Sequence, residues 1–126
     1  MTRFAFAAAL TLTCASPAYA ETAYFTQLED MPIAPGLVET TDHAEFSNDG
    51  VRMLSVSASG QAQAEQVRAY YDAALPALGW AISLGSGGEN ETVYLRGREQ
   101  VSLSYYQRGE DLLLEVLLFS RAPPSD

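Results

Sequence analysis

Lysine is absent from this chain, and cysteine, histidine and tryptophan each occur once. Seven arginines face sixteen carboxylates, a formal charge of -9. Nucleic acid and anionic lipid are both held through basic patches, so neither is expected as a partner. The one cysteine, Cys14, lies close to the N-terminus, and the remainder of the chain has no thiol for a disulfide or a thiolate nucleophile. The one histidine, His43, sits in Glu39-Thr40-Thr41-Asp42-His43-Ala44-Glu45. Neighbours on an extended chain point to opposite faces, and zinc asks for three or four converging ligands. The stretch therefore reads as a solvated acidic turn, and no metal or cofactor is expected.

Catalytic patterns are equally thin. No serine stands in a Gly-x-Ser-x-Gly elbow. Gly85-Ser86-Gly87-Gly88 has no following helix and no lysine, so it fails as a phosphate loop and reads as a hairpin turn. The acidic pairs Glu29/Asp30, Glu89/Glu91 and Glu110/Asp111 fall in expected turns or in an arm, where they are poorly placed to flank a glycosidic bond. Glu115 differs, being set among leucines in mid-strand. It is expected to pair with Arg96 or Arg98 across the sheet rather than to act as an acid.

The first twenty residues, MTRFAFAAALTLTCASPAYA, have the form of a secretory signal. Arg3 gives the positive start, Phe4 to Leu12 a short apolar run, and Ala18-Tyr19-Ala20 the small-x-small site. The run is too short to cross a bilayer, and no membrane span is expected. Thr11-Leu12-Thr13 does not make the approach that a lipoprotein signal makes to its cysteine, so Cys14 is read as part of the leader. Cleavage after Ala20 would leave six arginines and sixteen carboxylates, a charge of -10 by subtraction, in the periplasm.

From Glu21 to Thr41 the chain shows no clear period. Pro32 and Pro35 each remove a donor and bias the residue before them to extended geometry. The expectation is an extended arm over residues 21–43, pinned through Leu28, Met31, Ile33, Leu37 and Val38.

Gln61 to Trp80 is the one long helical pattern. Val67, Tyr70, Tyr71, Ala74, Leu75 and Leu78 make its apolar stripe. Glu65, Arg68 and Asp72 are spaced to pair with one another on the wet side. Ser59 is the better capping residue. Pro76 should tighten the last turn, and Gly79 suits the left-handed residue that ends a helix.

Strands flank it. Ala44 to Ser47 and Val51 to Ser59 surround Asn48-Asp49-Gly50, a hairpin signal. Trp80 to Leu84, Thr92 to Arg96 and Val101 to Gln107 read as a meander. Leu112 to Ser120 is apolar on both sides, with Leu112, Leu114, Val116 and Leu118 on one and Leu113, Leu117 and Phe119 on the other. Such a strand must lie mid-sheet and be covered twice, or it exposes an apolar patch. The helix covers one side; the arm or a partner is expected on the other. The fold class is α+β: two layers, one main helix on a mostly antiparallel sheet of about five strands, β-β-α-β-β-β, over 44–121, with a tail at 122–126.

The residues Met31, Pro32, Pro35, Gly36 and Leu37, then Tyr70, Tyr71, Leu75, Pro76, Leu78, Gly79 and Trp80, resemble a family of short secreted proteins of Gram-negative bacteria. That family carries a Leu/Met-Pro-x-x-Pro-Gly-Leu segment and a Phe-Tyr or Tyr-Tyr helix closing on Leu-Pro-x-Leu-Gly-Trp. The resemblance spans most of the chain after residue 20. It implies a periplasmic α+β domain and transfers no catalytic residue.

The leading functional expectation is a non-enzymatic binding or assembly module of the cell envelope. It would meet a protein partner, or another copy of itself, through Tyr106, Leu113, Leu117 and Phe119. The alternative is a carrier of a small molecule or lipid, with a pocket between helix and sheet lined by Tyr70, Tyr71, Trp80 and Tyr105. A hydrolase using Glu115 or His43 ranks third.

Overall fold

The computed structural model describes residues 22–84 and 88–122. Residues 1–21, on which the expected secretory leader falls, residues 85–87 of the Gly85–Gly88 stretch and residues 123–126 lie outside the described residues. Six strands and one helix follow in the order β1 (Val38–Asn48), β2 (Val51–Gln61), α1 (Ala64–Ala77), β3 (Ala81–Ile82), β4 (Glu91–Arg96), β5 (Glu99–Arg108) and β6 (Asp111–Arg121). The strands form one antiparallel sheet in the order β1-β2-β6-β5-β4-β3. The sheet thus has six strands rather than five. The expected strand Trp80–Leu84 contracts to the two-residue edge strand β3, in which Ile82 is exposed, and Leu84 lies beyond it, exposed as well.

Turn chemistry sets the register. Asp49 and Gly50 both take positive φ, 49° and 78°, and close the two-residue hairpin that pairs Asn48 with Val51. After β2, the chain crosses the sheet through α1 to the far edge. It then meanders back inward, so the last strand slots in beside β2. β6 is third of six, paired along its whole length with β2 on one side and β5 on the other.

Alternation along the strands separates two faces. Leu54, Val56 and Ala58 of β2, Leu112, Leu114, Val116 and Leu118 of β6, Val101, Leu103 and Tyr105 of β5, and Tyr94 of β4 form the core face. Val67, Tyr71 and Leu75 of α1 dock on it at intervals of four. Leu78, expected in the same stripe, is 38% exposed and acts as the C-cap. Gly79, at φ 92°, ends the helix as expected. Its amide donates to the Pro76 carbonyl and that of Trp80 to the Leu75 carbonyl, the paired bonds of a Schellman close.

The start of the helix lies elsewhere than expected. Helix α1 opens at Ala64, and the preceding residue, Gln63, makes no side-chain cap. Gln107 of β5 supplies one instead. Its Oε1 accepts from the Ala64 amide at 2.8 Å, and its Nε2 donates to the Ala62 carbonyl at 2.9 Å. The helix-face pairs also give way to tertiary ones. Arg68 donates to the Glu89 carbonyl at 2.9 Å and lies over the Tyr105 ring, while Asp72 accepts the Tyr94 hydroxyl.

The arm is neither extended nor on the far face. Phe25 and Met31 are joined through their backbones, Ile33 donates to the Ala23 carbonyl, and Tyr24 bridges Pro32, so the segment doubles back on itself. Phe25, Leu28, Met31, Ile33, Ala34 and Leu37 all enter the cluster that α1 covers. The Tyr71 hydroxyl donates to the Pro32 carbonyl at 2.8 Å and accepts from the Ala34 amide at 3.1 Å. Met31 and Leu37 are apolar enough to need the core, and the helix alone leaves room beside it. Strand β1 also takes in residues 38–43, assigned to the arm above.

Candidate functional site

The other face of the sheet is where the candidate site lies. Cross-strand rows can be followed over it from the register. One runs Phe46, Met53, Phe119, Gln100, Leu95, and the next Ala44, Ser55, Leu117, Ser102, Val93. A third runs Ser57, Glu115, Ser104, Glu91, and a fourth Val38, Ser59, Leu113, Tyr106. Neither α1 nor the arm reaches this face. Phe46 is 59% exposed, Leu95 45%, Tyr106 50% and Val38 72%, and Met53, Leu113, Leu117 and Phe119 are half-buried. Of the nine large exposed apolar residues among those described, these four and Val51 share the one face. An apolar surface gathered in this way marks a contact face more often than single scattered residues do.

All four residues expected at an interface, Tyr106, Leu113, Leu117 and Phe119, stand on it. Tyr106 lies directly opposite Leu113. Leu117 and Phe119 sit on the other side of the Glu115 row. The face is therefore two apolar patches with a polar band between them. Phe46, Met53 and Leu95 complete the larger patch; alternation along β2 turns Met53 away from Leu54, Val56 and Ala58, but none of the three was expected in the interface. The Asp49-Gly50 turn carried a usable signal, because its register places Phe46 opposite Met53.

Glu115 occupies the centre of the band. It is exposed, lies opposite Ser57 on β2 and Ser104 on β5, and makes no hydrogen bond or ion pair with any described residue. The expected arginine partners are committed elsewhere. Arg96 pairs with Asp30 at 2.7 Å and Glu99 at 2.9 Å on the core side, and stacks over Trp80 at 4.2 Å. Arg98 donates to the Ala122 carbonyl. Glu91 ends the same row two strands from Glu115, roughly 10 Å away at the usual strand spacing. Among the described residues, arginines border this face at its ends: Arg121 opposite Val51, Arg108 opposite Asp111, and Arg98 at the rim beside Leu95 and Phe119.

Two shallow hollows flank the band. One, of about 450 Å³, is lined by Val51, Leu95, Arg98, Phe119 and Arg121. The other, of about 340 Å³, is lined by Ser59, Tyr106, Arg108, Leu112 and Leu113.

The residues expected to line a pocket between helix and sheet are distributed differently. Tyr71, Trp80 and Tyr105 are 0, 3 and 3% exposed and belong to the packed core. Tyr70 is half-buried, edge-on to the Tyr71 ring, and lines a shallow depression of about 270 Å³ beside Ala34, Pro35 and Val67. Burial pushes the phenols of Tyr71, Tyr94 and Tyr105 well above their ordinary range; hydrogen bonding of Tyr94 to Asp72 adds to its shift. These hydroxyls therefore keep their protons at physiological pH. His43 is exposed, its Nδ1 lying 3.3 Å from the Thr41 carbonyl. Among the described residues no three histidine, cysteine or carboxylate side chains gather in a metal-binding group. No described helix is long and apolar enough to cross a membrane.

Comparison with protein-family models, with curated proteins and with solved structures returns no match for the chain.

Proposed function

We propose that the chain is an exported periplasmic binding module that docks a second protein on the open face of its sheet. The carrying observation is that both protective elements, α1 and the arm, are spent on one side of a central strand that is apolar on both. On the other side Val93 and Ser102 are buried within the sheet, while Phe46, Leu95 and Tyr106 stay exposed. The N-terminal leader with its Ala18-Tyr19-Ala20 site supports export. The resemblance to short secreted Gram-negative proteins supports the same compartment.

Another copy of the chain is a poor occupant. A twofold pairing of two such faces about their centre would bring Glu115 against its own counterpart, and each cleaved copy, with six arginines against sixteen carboxylates, carries a formal charge of -10. Charge of one sign keeps such surfaces apart in water.

The test is site-specific photocrosslinking in intact cells. A crosslinker at Leu117 should give a discrete product of fixed mass, and the same group at Ala73, on the exposed side of α1, should not. The product should disappear when Leu113→Asp is added. A Leu117 pattern identical to that at Ala73 would remove the docking reading. N-terminal sequencing of the periplasmic protein should begin at Glu21; protein retained in the cytoplasm would sink the compartment.

A further inference from the structure

Resting on that docking reading, we infer that the partner presents a helix whose apolar stripe is interrupted by one arginine or lysine, seated on Glu115. The argument begins with what can lie on a sheet face. A lone extended segment would bury backbone amides and carbonyls with no partners, at a cost for each. A helix satisfies its own backbone and needs only a matching stripe of side chains. The opposite face of this same sheet is closed in that manner by α1.

The length follows from the two patches. Leu113 and Phe119 are six residues apart on β6, or roughly 20 Å along a strand. A helix rises about 1.5 Å per residue, so roughly 13 residues separate an anchor near Leu113 from one near Phe119. Glu115 lies off-centre, two residues from Leu113 and four from Phe119. The position facing it therefore falls about four or five helical residues from the first anchor.

The chemistry of that position follows from Glu115 itself. Its two flanking neighbours, Ser57 and Ser104, are neutral, and no described arginine reaches it. Glu91 adds negative charge to the same row. A partner that covers the band with an apolar side chain strands this carboxylate away from water, a heavy penalty for a charge. A guanidinium or ammonium there matches it, and arginine can meet the carboxylate with two parallel bonds. The same carboxylate repels partners bearing aspartate or glutamate in that place, so it selects as well as binds.

The experiment uses a phage-displayed library of helical peptides, randomised along one face and selected separately on the wild-type protein and on Glu115→Arg. Both proteins are first checked for matching circular dichroism and melting. Selection on wild type should enrich arginine or lysine four or five positions from an apolar anchor, and selection on Glu115→Arg should enrich aspartate or glutamate there. The best wild-type peptide should lose at least tenfold in affinity to Glu115→Arg and recover when its own basic residue is changed to glutamate. Peptides that lose binding to Leu117→Asp yet ignore the charge of residue 115 would overturn the basic-helix inference and leave the docking face standing. Peptides indifferent to both changes, or no face-specific peptide at all, would overturn the two together. A concentration-dependent dimer that Leu117→Asp dissolves would replace the helix with a second copy.

Discussion

The carbonyl oxygen of Gly36 crosses Gly60 so closely that a Cβ on Gly60 would lie 2.1 Å from it. This crossing lets the arm run over the end of β2 and deliver Leu37 to the core. The obstacle is backbone, which cannot swing aside as a flexible side chain can. Gly60→Ala should therefore lift the arm or shift β2, at a cost on the order of 2–3 kcal/mol. Chemical denaturation gives the loss. Amide exchange should show it concentrated at Phe25, Met31 and Ile33; a variant as stable as wild type would mean that the crossing is loose.

Gln107 replaces the missing cap of α1 by reaching from β5 to both Ala62 and Ala64. Truncating it leaves the first turn with an unfilled donor. Gln107→Ala should destabilise by about 1 kcal/mol, the usual worth of a helix cap. Gln63→Ser would supply a local cap in its place. Combined with Gln107→Ala it should recover part of the loss, a result readable from paired urea titrations. No recovery would indicate that Gln107 acts on the β5–β6 turn instead, through its bonds to the Gly109 and Asp111 carbonyls.

Two buried tyrosines make opposite predictions. The Tyr71 hydroxyl joins the Pro32 carbonyl and the Ala34 amide, so Tyr71→Phe leaves two backbone groups unpaired and should cost about 1–3 kcal/mol. The Tyr105 hydroxyl is buried without a partner among the described residues, so Tyr105→Phe should be neutral or slightly stabilising at pH 7. Both phenols are raised above the ordinary value of 10.0 by burial. The unfolded chain then releases protons near pH 10 that the native chain retains. Stability is complete below that pH and falls as pH rises above it. Denaturant midpoints between pH 8 and 11 should show this decline, with a shallower slope in Tyr105→Phe. An unchanged slope would mean that the Tyr105 phenol titrates normally.

What the sequence shows of this fold depends on whether the cause is local. The β6 alternation, the Asp49-Gly50 hairpin and the Gly79 close are each set within a few residues, and each is found where its pattern lies. The helix start was misplaced because its cap comes from residue 107, far along the chain. The arm was misplaced for a related reason. Its apolar residues announce burial but not against which face, and only the Tyr71 hydroxyl and the Gly60 crossing decide that. Four residues of the open face were legible from alternation alone. Phe46, Met53 and Leu95 required strand order, because they come from β1, β2 and β4 and meet only when β6 inserts between β2 and β5.

Glu115 gives the last prediction, since its cost to the fold and its role in docking have opposite signs. It sits at the middle of a central strand, where glutamate is a poor residue and valine a good one. It makes no bond with any described residue and is exposed, so removing it breaks nothing. Glu115→Val should raise stability by about 0.5–1 kcal/mol. It should also fuse the two apolar patches into one, from Tyr106 and Leu113 to Leu117 and Phe119. An uninterrupted patch of that kind on a sheet face invites association. Equilibrium sedimentation should find Glu115→Val more self-associated than wild type at equal concentration, while its denaturation midpoint moves up. A variant that is less stable would show that the carboxylate supports the fold; one that is more stable but equally monomeric would show that charge does not keep this face open.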